Sequence, residues 1–314
     1  MKVLVTGGTG YLGRAVVRAL AARGHELVIF ARRASQSGPA PARATFVDGD
    51  VRDRAALTRT AAGCDALCHM AALVSIWRRR AQDFDDVNVG GLENALAAAK
   101  SAGVARVLYT SSFLARPPAD RSAPLRANDY QRTKAAADTV ADARVSEGHP
   151  IVRVYPGVVY GPGSLTEGNL VGRLIADHLR GRLPGLIGPE HVWSYSYVDD
   201  VAAGHCAALE RGAPGARYGL GGENRTQTDV FTIVRQLTGR PLPRRLPFPV
   251  ADAIGAVEEA RVALFGGLPL VTRGAVEIFR HDWPVDSTAA VKDLGYTMTP
   301  LAEGVKRTIE AARA

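Results

Sequence analysis

Cysteine is scarce in this 314-residue chain, with only Cys64, Cys68 and Cys206. That excludes a small secreted scaffold stapled by disulfides. Cys64 and Cys68 stand four apart beside His69, a spacing that raises the question of a metal. Residues 65–71 read as a strand, however, which sends Cys68 and His69 to opposite faces, and a metal site needs more ligands nearby. The expectation is three reduced thiols and no metal. Long apolar runs are missing as well: no stretch approaches the ~20 residues that span a bilayer. Nothing resembles a signal peptide, because Lys2 leads straight into a short apolar run. These absences predict a soluble, cytoplasmic protein without a membrane partner. Acid is the rarer charge, 31 Asp and Glu against 39 Lys and Arg, for a net charge of +8. A nucleic-acid surface would gather its basic residues with aromatics among them. Here they are dispersed as Arg32-Arg33, Arg78-Arg79-Arg80, Arg180 and Arg182, and Arg244-Arg245. They read as solvated faces, and no nucleic-acid partner is expected.

What is present suffices for a core, at 46% hydrophobic and 22% charged residues. The length suits one large α/β domain or a main domain with a smaller lobe. The most telling stretch is Thr6-Gly7-Gly8-Thr9-Gly10-Tyr11-Leu12-Gly13. An apolar strand pattern over 2–5 precedes it, and a helical pattern over 14–23, stopped by Gly24, follows. Strand, glycine turn and helix make a dinucleotide site. Gly7 permits the tight turn, Gly10 lets backbone approach a pyrophosphate, and Gly13 lets helix pack close on strand. The free N–H groups of the helix start then face the phosphates.

Strand and helix patterns alternate from there. Strands are expected over 26–30, 44–47, 66–71, 104–109 and 151–155, and helices over 54–62, 87–102 and 130–147. This alternation implies a doubly wound parallel sheet, a Rossmann α/β fold. After Pro156 glycine and proline become dense. Helical patterns cover 170–179, 199–209, 229–238, 250–264 and 301–312, with a strand over 216–220 returning to the main sheet. The expected organisation is a dinucleotide-binding domain over 1–160, to which 190–222 returns. A smaller, mostly helical substrate lobe would comprise mainly 161–189 and 223–314.

Tyr130 and Lys134 lie four apart on a predicted helix and so share a face. A tyrosine titrates near ~10, and a neighbouring ammonium together with an oxidised nicotinamide would favour its phenolate. The strand before that helix ends in Thr110-Ser111-Ser112. Ligands of parallel α/β sheets sit beyond the carboxyl ends of the strands, where a serine hydroxyl can bond a substrate oxygen.

These residues give the chain a clear resemblance to an extended short-chain dehydrogenase/reductase, over nearly its whole length and most specifically before residue 160. The resemblance implies catalytic roles for Ser112, Tyr130 and Lys134, with Ser111 as an alternative to Ser112. It implies that Thr9, Gly10, Tyr11, Leu12 and Gly13 bind cofactor with Gly7, and that Asp50 and Val51 meet the adenine. Met70-Ala71-Ala72 is similar to the turn that passes the riboses, and Asn88-Val89-Gly90-Gly91 to a helix-start motif. The run from Arg153 to Pro162, with Tyr155, Pro156, Gly157 and Val158, resembles the segment beside the nicotinamide, to which Thr110 and Ser111 add. Tyr197-Val198-Asp199-Asp200-Val201 is similar to a signature in the family's second half. Within the family the chain looks most like dihydroflavonol-reductase-like members and a bacterial hopanoid-associated branch labelled as a sugar epimerase. The carrying points are residues 64–72, Trp77, residues 198–205 and Gly221-Gly222-Glu223-Asn224.

At the end of the second strand an acid would bind the NAD ribose, whereas an arginine accommodates the NADP phosphate. The chain has Arg32 and Arg33 there and no acid. NADP is the expected cofactor, with NAD the alternative. The expected reaction moves a hydride between nicotinamide and a small-molecule carbonyl or secondary alcohol. Trp77, Phe113, Leu114, Tyr160 and Trp193 are candidates for an apolar pocket or for core. A sugar-nucleotide epimerase or dehydratase is the alternative. Phe113-Leu114 stands where dehydratases carry Asp-Glu, and no arginine precedes Val198-Asp199-Asp200 to grip a diphosphate. A non-enzymatic cofactor sensor would lack the tyrosine or the lysine, and both are here. The resemblance implies a homodimer through the two long helices of the nucleotide domain, where alanines at 95, 97–99 and 135–137 would allow close helix approach, as they would within one chain.

Overall fold

The computed structural model describes residues 1–313; Ala314, the expected end of the lobe, lies outside them. The chain opens with β1 (Lys2–Thr6), α1 (Tyr11–Ala22), β2 (Glu26–Ala31), β3 (Ala44–Asp48), α2 (Arg54–Ala61) and β4 (Ala66–His69). A single turn, α3 (Gln82–Phe84), runs through a π-helical turn, Asp85–Gly90, into α4 (Gly91–Ser101). Then come β5 (Arg106–Thr110), α5 (Asp129–Ser146), β6 (Ile151–Pro156), β7 (Val158–Tyr160), α6 (Leu170–Leu179), β8 (Leu186–Ile187), β9 (Val192–Tyr197) and α7 (Val198–Arg211). The last part holds β10 (Arg217–Leu220), β11 (Glu223–Thr226), α8 (Gln227–Thr238), β12 (Arg245–Leu246), α9 (Phe248–Phe265), α10 (Arg273–Ile278), α11 (Thr288–Leu294) and α12 (Leu301–Arg313).

Seven strands form one parallel sheet in the order β10-β6-β5-β4-β1-β2-β3. Val5 pairs with Ile29 on one side and Cys68 on the other. Helices cover both faces, which is why the central strands read as unbroken apolar runs. All six residues of β6 are buried. One core layer joins the sheet to α1, α7 and α11, the other to α2, α4 and α5. The fold is the doubly wound Rossmann type that the sequence predicts. The order in which strands are added reverses between β1 and β4, and the carboxyl ends there form the crevice where such sheets take ligands.

Several boundaries move, each for a local reason. The strand expected over 66–71 stops at His69, because Met70 and Ala71 turn across Gly7. The helix expected from 87 begins at Gln82 and contains the π turn. The strand expected over 104–109 runs from Arg106, since Gly103 at φ +66° is still completing the preceding turn. The lobe is less helical than expected. It contains a three-stranded sheet, β11-β9-β7, and a short β12-β8 pair. The segment 192–197 joins that small sheet, while β10 pairs with β6 at the edge of the large one. A third apolar core fills the lobe around Tyr160, Tyr195, Phe231 and Trp283.

Candidate active site

The glycine turn is built by close approach. Gly7 sits at φ +74°, and a Cβ there would lie 2.6 Å from the Ala71 nitrogen. A Cβ on Gly13 would lie 2.1 Å from the Gly7 carbonyl oxygen, so α1 can pack this tightly only on glycine. Gly10 is different: it is exposed, and its Cβ position meets only the Gly7 oxygen, at 3.4 Å. That open side is a cradle for a ligand backbone. The first turn of α1 has neither a capping side chain nor an acid, so its free N–H groups and positive end suit a phosphate. Thr9 and Leu12 border this turn, half-buried. Tyr11 departs from expectation. Its ring packs under Gly161 and Gly163, and its buried hydroxyl has no partner, so only its backbone belongs to the turn.

Two strand ends frame the next part. The Thr6 hydroxyl accepts from Ala71 N–H at 3.3 Å and lies 2.9 Å from His69 Nδ1. The other ring nitrogen, Nε2, is buried and has no partner. Burial, aided by the charge of Lys134, pulls the His69 pKa down to about 3. At the end of β5, Thr110 Oγ1 lies 3.0 Å from His205 Nε2, whose other nitrogen donates to Val201 O at 2.8 Å. Burial lowers His205 to about 4.

Asn128 caps α5 by accepting from Gln131 N–H at 2.9 Å, and the Gln131 side chain accepts from Ala127 N–H at 3.0 Å. This reciprocal cap fixes Tyr130 in the first turn. Arg132 grips Asp85 in the π turn with two bonds, 2.8 and 2.6 Å, and Asp129 at 3.0 Å. Asn88, in the same turn, donates to Thr133 at 2.9 Å and accepts from Leu73 N–H at 2.7 Å. The π turn thus joins the loop after β4 to the helix that carries Tyr130 and Lys134.

Tyr130 and Lys134 lie one turn apart on α5 and Ser112 follows β5, and the electrostatics of this group differ from the expectation. Lys134 is buried, and its Nζ donates to Thr110 O at 2.8 Å and to the Tyr109 hydroxyl at 3.3 Å. Burial lowers its pKa to about 8. The Tyr130 phenol is raised, not lowered: desolvation dominates, and a hydrogen bond from Ser112 only partly offsets it. The expected acidification by the lysine is therefore corrected. The ammonium is spent on the Thr110 carbonyl and on Tyr109, while the phenol sits where burial disfavours its anion. Ser112 Oγ accepts from Leu114 N–H at 3.2 Å, and its hydroxyl lies toward the phenol. The Ser111 hydroxyl faces Tyr109 instead and has no full hydrogen bond.

The remaining expected cofactor residues divide by placement. Arg32 and Arg33 are exposed after β2, and the Arg32 charge reaches Asp50. Asp50 is held by Arg52 at 2.7 and 3.0 Å, which keeps its carboxyl below the usual range. Val51 packs against Gly91, where a Cβ would lie 2.8 Å from its Cγ2. Met70, Ala71 and Ala72 lie half-buried beside Gly7. Tyr155 is turned inward, its hydroxyl donating to Asp138 at 2.7 Å, so its side chain backs Lys134 rather than lining the crevice. Pro156 and Gly157 are buried, and a Gly157 Cβ would lie 2.6 Å from Ser194 O. Val158 starts β7 and is buried in the lobe's core. Of the pocket candidates, Tyr160 is wholly buried core. Phe113 remains half-buried, 6.0 Å from Trp193 and 5.8 Å from Trp283, and Trp193 stacks on Phe279 at 4.8 Å. Trp283 and Phe279 escaped sequence reading because nothing local marks them. Cys64, Cys68 and Cys206 are free and buried.

A parallel sheet with a glycine cradle at its switch point, and a Ser–Tyr–Lys group beside it, defines a dinucleotide-binding enzyme scaffold. The model of the NAD dependent epimerase/dehydratase family matches residues 3–221, and the chain belongs to that family, within the extended short-chain dehydrogenase/reductase superfamily. It is 36% identical over 257 residues to sterol demethylase protein B of Methylococcus capsulatus, covering 78% of this chain and 76% of that one. It is 29% identical over 329 residues to 2-alkyl-3-oxoalkanoate reductase of Stenotrophomonas maltophilia, covering 98% of each. Its fold matches UDP-glucose 4-epimerase of Thermotoga maritima with a TM-score of 0.80, at 23% identity over 100% of this chain and 99% of that one.

Proposed function

We propose that the chain is a nicotinamide-dependent oxidoreductase acting on a carbonyl or secondary alcohol of a small, apolar molecule, with Tyr130 as its acid and base. The observation that carries this reading is the placement of Tyr130 in the first turn of α5, one helical turn before the buried Lys134 and near the Ser112 hydroxyl at the end of β5. A neutral phenol is the form that can give a proton, so the site is set for carbonyl reduction. The bound cofactor supplies the hydride.

The chain's own residues do the rest. The turn from Gly7 to Gly13 and the start of α1 bind the pyrophosphate. Arg32, with Arg33, binds the ribose phosphate of NADP in preference to NAD. Asp50 and Val51 border the adenine, and Met70 to Ala72 with Asn88 frame the riboses. Ser112 donates to the substrate oxygen, on which Tyr130 also acts. Tyr130 transfers its proton to that oxygen, and Lys134, fixed by the Thr110 carbonyl, holds the ribose of the cofactor. Positioning supplies the remaining acceleration.

Phe113, with Trp193 and Trp283 packed behind it, is next in sequence to Ser112, which supports an apolar substrate. The names of the two relatives, a sterol demethylase protein and a reductase of 2-alkyl-3-oxoalkanoates, point the same way. Sugar epimerisation is the second reading, favoured by the family model and by the fold match. An epimerase returns its hydride and shows no net cofactor oxidation. The test is a screen of ketones and aldehydes followed at the NADPH absorbance. One NADPH consumed per alcohol formed supports the reductase. Turnover of a sugar nucleotide without net consumption refutes it.

A further inference from the structure

The lobe's outer surface carries apolar side chains that nothing in the fold covers. Among the described residues, eight of the thirteen exposed large hydrophobic side chains fall between positions 237 and 270. Five are strongly exposed: Val257 at 67%, Leu264 at 77%, Phe265 at 83%, Leu268 at 60% and Leu270 at 70%. Helix α9 buries only Ala251, Gly255 and Val262. On its opposite face Val250, Val257 and Leu264 recur every seven residues, with Ala253 and Ala260 between them. Helix α9 carries Asp252, Glu258, Glu259 and Arg261, and Arg261 is turned along the helix. Its guanidinium bonds Glu258 at 2.9 Å and the Leu268 carbonyl at 2.9 Å, while Glu258 accepts from Leu270 N–H at 2.7 Å. This clasp holds the loop after α9 in one shape and neutralises its charges, so that Leu264, Phe265, Leu268 and Leu270 project outward.

Basic residues precede the same helix. Arg180, Arg182, Arg240 and Arg244 are exposed and make no ion pair among the described residues. The Arg244 carbonyl accepts from Leu186 N–H at 2.8 Å beside the β8–β12 pair, and the chain passes from Arg244 through Pro247 straight into the N-terminal end of α9. An apolar helix face and loop beside unpaired arginines is the chemistry that binds an anionic lipid surface.

We infer that α9 and the loop 266–270 dock this protein on an anionic bilayer. Among the described residues no helix is long and apolar enough to cross a membrane, and this peripheral mode, a departure from the expectation of no membrane partner, needs none. An anionic surface suits the unpaired arginines better than a second copy of this chain, whose net charge is also +8. The docked segment also reaches the active site. It leads directly into α10, where Gly274 packs so closely that a Cβ would lie 2.2 Å from Ala127 O, beside the residue that caps the Tyr130 helix. The inference does not depend on the proposed reaction, because its test reads binding.

The full chain is sedimented with vesicles of phosphatidylglycerol and phosphatidylcholine, and with phosphatidylcholine alone. Binding to the anionic vesicles is expected, weakening as salt rises. The double variant F265S/L268S should bind at least tenfold more weakly, and the quadruple variant R180E/R182E/R240E/R244E should lose the preference for anionic lipid. Both sets of side chains are exposed, and circular dichroism checks that the variants fold. Equal binding to both vesicle types, no binding at low salt, or variants that bind like wild type would overturn the inference. So would a dimer in analytical ultracentrifugation that F265S/L268S dissociates, which would assign the face to a second copy.

Discussion

At the scale of single residues, the site is governed by where charge is placed. Spacing in the sequence puts Tyr130 and Lys134 on one helix face, and the structure keeps them there. What spacing could not show is where the ammonium would point. It donates to Thr110 O and Tyr109, so desolvation alone dominates the phenol and holds it protonated. The choice between Ser111 and Ser112 was open for a similar reason, since adjacent strand-end residues face opposite ways and only coordinates tell which faces the helix. Ser112 meets Tyr130, and Ser111 faces Tyr109. We expect Ser112→Ala to lower kcat by about 10²-fold or more with intact cofactor binding, and Ser111→Ala to cost much less; steady-state kinetics of both variants decide. Lys134 titrates at about 8 because burial disfavours its charge. The reduction rate should therefore hold below that pH and fall above it as the ammonium is lost. A kcat/KM profile that stays flat to pH 10 would contradict this role.

At the scale of elements, the parts most legible in the sequence are those held by local rules. The strands of the large sheet are apolar runs between glycine stops, and α6 and α8 follow helical periodicity and side-chain caps. The parts missed are those set by distant partners. Strand β9 alternates aromatic with serine and is buried throughout most of its length only because β7 and β11 flank it. The π turn has no sequence marker, yet it carries both Asp85 and Asn88 to α5. Arg132→Ala should remove the Asp85 bridge and loosen the first turn of α5. Its ion pairs are partly exposed, so thermal stability should fall by only about 1 kcal/mol. A displaced Tyr130 should cost kcat more than KM, in the order of tenfold. Measured kcat, KM and Tm of this variant separate a positioning effect from general destabilisation.

At the scale of the whole molecule, buried histidines link the fold to pH. His69 and His205 sit at the ends of β4 and in α7, wholly buried, with pKa values lowered to about 3 and about 4. Both are below the ordinary value near ~6.5, so the unfolded chain binds more protons in acid. Their contribution is complete above about pH 6.5 and is lost as pH falls toward 4 and then 3, at about 1.4 kcal/mol per unit for each histidine. Lys134 acts with the same sign at the alkaline end: its contribution to stability rises with pH from about 8 to the unfolded value near ~10.4. Urea midpoints between pH 4 and 7 test the histidine effect, and a midpoint constant across that range would contradict it. The most direct measurement for the whole account is Tyr130→Phe, which deletes one hydroxyl and leaves the ring. The account predicts unchanged NADPH binding with carbonyl reduction slowed by about 10²–10⁴-fold. Reduction at the wild-type rate in that variant would contradict it.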